Sequence, residues 1–304
     1  MKPAPHLSRI RLLLLLCAGA LPLVATACAA PNAGWQRVGG PLYTISGMAY
    51  AGADGRRGAQ FVVVHDNKKP DEPHVGALIL GNGPVEYRRL RWPAGATAPV
   101  DLESISAIPD APDRYLALES SGRVFHLRYD GARLDVLHVS KLPDVPPGAN
   151  FEGVSVQKLD GQLVVAWGHR GDGKQPGRLF WGTYDLPADA ITRQGAADVF
   201  VPYPHGHGTR HLADLRVDPG GIVWVSATSD PGDEGPFNSA VYAIGTLNST
   251  GGTIGFRPDP SPTRLWVFRH KVEAIELVPG RHGRIYFGSD DEHLGGWVQA
   301  GGEP

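Results

Sequence analysis

The chain has 304 residues, including 40 glycines and 27 prolines but only two cysteines, and a formal charge of −2. A slightly acidic chain has no basic footprint for a polyanion, which argues against nucleic acid as a partner. Glycine and proline are spread between apolar runs as punctuation and no long amphipathic helix is evident, so the composition points to an all-β chain of many short strands.

At the N-terminus, Lys2, Arg9 and Arg11 head an apolar run that ends at Val24. That run is too short for a permanent membrane span and closes in small residues, as an export signal does. Ala25-Thr26-Ala27-Cys28 resembles the lipobox of bacterial lipoproteins, with Ala where Leu is usual three places before the cysteine. The same stretch also offers an Ala-x-Ala cleavage site. Two fates follow: a periplasmic or cell-surface lipoprotein anchored at Cys28, touching membrane only through its lipid, or a secreted soluble protein. The expected divisions are a leader at 1–28, the tether "AAPNAG" at 29–34, and one folded domain at 35–304, expected to be monomeric. Cys17 lies in the leader, so the mature chain has no internal disulfide and depends on a large core. Loss of the leader removes three cations and no acid, which takes the charge from −2 to −5.

Beyond the tether the chain repeats itself. "ESISAIPDAPDRYLALESS" begins at Glu103, "EGVSVQKLDGQLVVAWGHRGD" at Glu152 and "EAIELVPGRHGRIYFGSDD" at Glu273. Each is an acid, a strand, a tight polar turn, an apolar strand and a polar end. Weaker copies start at Ser46 and Ala213, and the spacing of about 50 to 60 residues suits propeller blades. Each of the earlier copies is followed by another hairpin-like unit, turning at Gly81-Asn82-Gly83 in one and at Asp130-Gly131 in another, where both central residues can take positive φ. The last copy runs out of chain before its fourth strand, and "GWQRVG" (34–39) has no copy of its own. The prediction is a five-bladed β-propeller of four-stranded blades, closed by that early segment as the outer strand of the last blade. A six-bladed ring would need blades shorter than the spacing permits.

In such a ring the starts of the innermost strands and the ends of the second strands surround one mouth of the central channel. Glu103, Glu152 and Glu273 come from the starts. His65-Asp66-Asn67, Glu119-Ser120, His169-Arg170, Ser229-Asp230 and Asp290-Asp291 come from the ends. Crowded carboxylates raise one another's pKa unless a cation compensates. Ca²⁺ suits scattered oxygen donors, so the expected metal ligands are Glu103, Glu152, Glu273, Asp66, Asn67, Asp230 and Asp290, with no organic cofactor. The alternative is that these acids cap blade edges or pair with Arg170, Arg210 and Arg216.

The strand starts "SGMAY", "DLESISAI", "NFEGVSVQ" and "KVEAIELV" resemble those of the phytase-like, so-called esterase-like propellers of bacterial exported proteins. The likeness runs from about Tyr43 to Val298. It implies a propeller with a polar, calcium-bearing mouth and hydrolysis of phosphate or carboxylic esters. The senescence-marker and gluconolactonase-type propellers are more distantly similar and imply a lactonase variant.

Other residues complete the expectation. His205 and His207 in "YPHGHGTRH" lie two apart on a rim loop, placed to touch ligand, with transition-metal binding as the lesser alternative. Arg170 and Lys174 in "WGHRGDGKQPG" would suit an anionic substrate. His65 or His169 would act as general base, with Arg170 orienting the anionic group. No Gly-x-Ser-x-Gly occurs in the mature chain, which speaks against a serine-hydrolase motif. Two functions remain: a calcium-dependent exported hydrolase of a small anionic ester or lactone, or a non-catalytic propeller that binds a cell-envelope ligand with a structural metal.

Overall fold

The computed structural model describes Met1 and residues 34–302 apart from 56–57, 206–207 and 280–283. Cys28, the rest of the leader after Met1, the tether to residue 33, and His207 lie outside the described residues. Among the described residues there are twenty strands and two short 3-10 turns but no α-helix, and the strands form five separate four-stranded antiparallel sheets.

Blade 1 consists of β2 (Gly47–Asp54), β3 (Gly58–Val64), β4 (Val75–Leu80) and β5 (Glu86–Leu90). Blade 2 has β6 (Leu102–Ala107), β7 (Arg114–Glu119), β8 (Arg123–Tyr129) and β9 (Leu134–Lys141). Blade 3 has β10 (Phe151–Leu159), β11 (Gln162–His169), β12 (Gly177–Asp185) and β13 (Ala190–Val199). Blade 4 has β14 (Thr209–Val217), β15 (Ile222–Ser229), β16 (Ser239–Thr250) and β17 (Thr253–Phe268). Blade 5 joins β18 (Val272–Val278), β19 (Arg284–Asp290) and β20 (Gly296–Ala300) to the early strand β1 (Gln36–Arg37). The five-bladed prediction holds, including its closure: Gln36 pairs with Val298 and Arg37 with Trp297. Trp35 fastens the same segment by packing edge-on against Phe268 with ring centroids 5.6 Å apart.

Local chemistry sets the turns. Asp160 and Gly161 link β10 to β11 with φ of 48° and 81°, and Leu159 pairs with Gln162 across them. Two successive left-handed residues match the right-handed twist of the strands they join, and Asp and Gly tolerate that conformation well. Each interface between blades then has its own apolar cluster. Val62 and Phe125 share the one between blades 1 and 2, Leu118 and Trp167 the one between 2 and 3, and Leu179 and Leu212 the one between 3 and 4. Val241 and Phe287 share the one between 4 and 5, and between 5 and 1 the ring of Tyr286 packs 4.9 Å from that of Phe61. Middle strands are thus covered on both faces, which is why "FVVV" and "LVVAW" read as unbroken apolar runs.

The innermost strands β2, β6, β10, β14 and β18 stand side by side around the axis, and β18 returns to β2. Arg216 of β14 fills that axis. Its guanidinium donates to the carbonyls of Met48 (2.5 Å), Ile105 (2.8 Å), Val154 (3.0 Å) and Leu215 (2.7 Å), and to Glu276 Oε2 (2.9 Å) and Asp214 Oδ1 (3.3 Å). Those acceptors come from all five blades. Asp214 also accepts from Ser104 Oγ (3.1 Å) and from the Ile275 N–H (2.7 Å). A buried ion pair is tolerable only with such a complete set of partners. On one side of this pin lies the mouth where the inner strands begin. On the other is a depression of about 520 Å³ bordered by Tyr50, Ser106, Gln157 and Trp224.

Candidate functional site

Three of the inner strands begin with the same irregularity. Leu102 pairs with Glu119 and Ser104 with Leu118, so Glu103 has no residue opposite it. Glu152 is skipped in the same way between Phe151 and Gly153, and Glu273 between Val272 and Ala274. A bulge of this kind leaves one residue outside the ladder and re-aims its side chain. Here the three side chains converge: one carboxylate oxygen from each lies within 4.8 Å of the others, and all three residues are buried.

Blade 4 departs from the pattern. Its register jumps from Arg210, opposite Thr228, to Asp214, opposite Ser226. Arg210, and not Ala213, therefore occupies the strand start. Arg210 Nη1 lies 2.6 Å from Glu273 Oε1 and 3.5 Å from Glu152 Oε2, and Nη2 lies 2.5 Å from Asp230 Oδ2. Lys271, two residues before Glu273, is 1 % exposed. Its ammonium lies 3.3 Å from Glu273 Oε1 and also pairs with Glu292. Arg170 Nη1 reaches Glu152 Oε1 at 3.4 Å. Among the described residues Glu103 has neither a hydrogen-bond partner nor an ion-pair partner, although it is only 8 % exposed.

Burial is the main influence on the acids at the mouth, with the neighbouring charges adding to it or opposing it. Burial pushes the Glu103 carboxyl well above the usual carboxylate range, with repulsion from Glu152, Asp66, Asp101 and Glu273 adding to the effect. Burial raises Glu273 to about 7 even though Lys271 and Arg210 pull it down. Asp290 is pushed well up by burial, against the attraction of Lys271, and Asp66 is raised for the same reason. Asp230 moves the other way: burial would raise it, but Arg210 and Lys271 hold it below its ordinary value.

The donors facing the gap are carboxylate oxygens with no sulfur or imidazole among them, which is the chemistry a hard divalent cation takes. An unpartnered, nearly buried carboxylate beside two others fits such an ion. Asp66 and Asp290 border an adjoining depression of about 310 Å³, together with Thr44 and Glu292.

Other expected site residues are held by neighbours of their own or lie away from the three glutamates. Asn67 spends its amide N–H groups on the carbonyls of Leu42 (3.0 Å) and Pro73 (2.6 Å), so that end of the side chain pins a loop. Asp230 is tied to Arg210. His65 is completely buried, with Nδ1 2.5 Å from the Thr44 carbonyl and Nε2 2.9 Å from the Tyr87 hydroxyl. Burial lowers its pKa to about 4. Both nitrogens are engaged inside the blade, which does not suit a general base at the mouth. Arg216, expected as a partner for the mouth acids, instead serves the axis. His169 is half-buried, with Nδ1 2.7 Å from the Asn150 carbonyl and 3.2 Å from the Asn150 N–H. Lys174 is exposed, and His205 is exposed with its ring 5.9 Å from that of Tyr203. Neither touches the three glutamates.

The acids stand out in the sequence, whereas Lys271 is passed over. Strand alternation does not flag it, because it precedes β18 and the bulge between Val272 and Ala274 breaks the alternation of faces.

No protein-family model matches the chain, and no curated protein matches it in sequence. Among solved structures it is similar to glutaminyl cyclase from Myxococcus xanthus, with a TM-score of 0.42 and 12 % identity over 88 % of this chain and 93 % of that one. It is also similar to the PQQ-bound form of aldose sugar dehydrogenase from Streptomyces coelicolor, with a TM-score of 0.43 and 10 % identity over 88 % of this chain and 97 % of that one. Neither likeness bears on the chemistry of the mouth.

Proposed function

We propose that the mouth holds a divalent cation, calcium by its donor set, in an exported propeller hydrolase that acts on a small anionic phosphate ester, carboxylic ester or lactone. One observation carries this reading: Glu103 is nearly buried and unpartnered, with a carboxylate oxygen within 4.8 Å of those of Glu152 and Glu273. The resemblance of the strand starts to phytase-like propellers supports it. When bound, such an ion supplies Lewis-acid polarisation and acidifies water. Within the chain, Arg210 and Lys271 orient Glu152 and Glu273 from one side and leave Glu103 free. Arg170, with a side chain 33 % exposed, can meet an anionic group at the rim without leaving Glu152. His169 meets the Asn150 backbone through Nδ1, and no contact engages its Nε2 among the described residues.

Calorimetric titration with calcium tests the site. The parent binds, and Glu103→Gln binds at least about tenfold more weakly, about 1.4 kcal/mol. Equal affinity in the two proteins, or none in either, overturns the assignment. A panel of phosphate, p-nitrophenyl and lactone esters assayed with and without chelator tests catalysis. The withdrawal of His65 into the blade favours a second reading, a non-catalytic propeller that binds a cell-envelope ligand; calcium binding with silence across the panel selects it. Attachment through Cys28 is read by fractionating Cys28→Ser beside the parent.

A further inference from the structure

Away from the mouth, the outer strands of blades 2 and 3 bring three side chains into line. His126 of β8 is 2 % exposed. Its Nε2 lies 3.0 Å from Oγ of Ser140 on β9, and its Nδ1 lies 3.1 Å from Oδ1 of Asp189 in the turn between β12 and β13. The Tyr184 hydroxyl stands 3.1 Å from the same Nδ1 and donates to Asp189 Oδ1 at 2.8 Å. Ser140 is half-buried on the outermost strand of its blade, next to the exposed His138 ring, whose centroid is 5.4 Å from that of His126.

Hydrogen-bond accounting fixes the proton. The Tyr184 hydrogen is committed to Asp189, so Nδ1 faces two acceptor oxygens and must carry the N–H. Nε2 then presents a lone pair to the Ser140 hydroxyl. Burial lowers the His126 pKa, against the pull of Asp189 and with further lowering from His138 and Arg114, so the ring stays neutral and able to accept a proton. A hydroxyl on a neutral imidazole that is oriented by a carboxylate is the arrangement that activates serine. It is recognised by geometry and roles, so the missing Gly-x-Ser-x-Gly does not count against it.

We propose that Ser140, His126 and Asp189 form a second, metal-independent nucleophilic site that takes small activated carboxylic esters. Ser140 Oγ bonds to the ester carbonyl carbon while its proton passes to His126 Nε2. The bond from that carbon to the leaving oxygen then breaks, and the departing alcohol takes the proton. Water repeats the exchange, giving its proton to Nε2 and releasing the acid with Ser140 restored. Asp189 is a positioning residue that acts through His126.

The test uses the full chain and a fluorophosphonate probe, with peptide mass mapping and the release of p-nitrophenol from p-nitrophenyl acetate. The expected result is a single adduct on Ser140, unaffected by chelator, with labelling lost in Ser140→Ala and slowed about 100-fold in His126→Gln. Since His126 is buried, Asp189→Asn in its part-exposed turn carries the same test. It labels at least about tenfold more slowly and alters the pH profile of labelling, which a merely structural role would leave unchanged. No adduct on the folded parent, an adduct on another residue, or equal labelling rates in folded Asp189→Asn overturns the proposal. Because chelation separates the two sites, failure here leaves the calcium reading standing, and failure of calcium binding leaves this one standing.

Discussion

Arg216→Met asks how much of the ring's stability runs through its axis. The methionine fills much of the same volume but removes the positive charge, leaving Asp214 and Glu276 buried without their cation and the carbonyls of Met48, Ile105 and Val154 without a donor. Breaking a buried pair from one side costs about 3–5 kcal/mol, and the orphaned carbonyls add to that at about 1–3 kcal/mol each where water cannot reach them. Because the acids can protonate, with Asp214 already raised to about 7 by burial, the lower figure for the pair is the safer basis. For a domain of this size each kcal/mol is worth about 2 °C, so about 3 kcal/mol gives an expected loss of at least about 6 °C. Near-ultraviolet circular dichroism during heating reads the loss of tertiary packing. Adding Glu276→Gln to Arg216→Met should restore part of the stability, because the uncompensated carboxylate goes with it. A single variant that melts within a degree or two of the parent would refute the view that this guanidinium ties the five blades together.

The mouth has its own pH signature. The folded pKa of Glu273 lies above its unfolded value, about 7 against 4.5, so the folded state holds the proton longer and stability is lost as pH rises through that window. Calcium-free protein should therefore melt at lower temperature at pH 8 than at pH 5, roughly, with the slope reduced in Glu273→Gln. Calcium at about a hundred times its dissociation constant should stabilise the parent by about 2.7 kcal/mol, seen as a rise in melting temperature that is at least about halved in Glu103→Gln. A Cβ on Gly47 would sit 2.6 Å from the Ser104 Cα and 2.9 Å from the Ile105 nitrogen on the neighbouring inner strand. Gly47→Ala should cost about 1–3 kcal/mol in urea unfolding, with the far-ultraviolet circular dichroism spectrum of the native protein unchanged.

The architecture was legible because it is written five times. Acid, strand, turn and apolar strand recur at a spacing that only a ring of blades uses, and "GWQRVG" was left over on the side where a strand was missing. The convergence of Glu103, Glu152 and Glu273 was legible for the same reason, since identical bulges in equivalent strands aim equivalent side chains at one point. Blade 4 shows the limit of that logic. Residues 211–213 stand opposite the single residue Ala227, so alignment by pattern put Ala213 where the fold puts Arg210. At His65 the limit is different: no strand pattern reveals that the Thr44 carbonyl and the Tyr87 hydroxyl engage both ring nitrogens. Ser140, His126 and Asp189 have no motif between them: the pairing of β8 with β9 sets the first two side by side, and packing of blade 3 on blade 2 brings Asp189 into line.

Pairing β1 with β20 means that the first strand made must wait for the last. Blades 1 to 4 can each form as the chain is synthesised, but the final sheet closes only when nearly the whole polypeptide is present, the slow long-range step that such topologies carry. Until then Gln36 and Arg37 lack their partner and the opposite end of the ring presents an unfilled edge, so a chain shortened at either terminus should fail at the same seam.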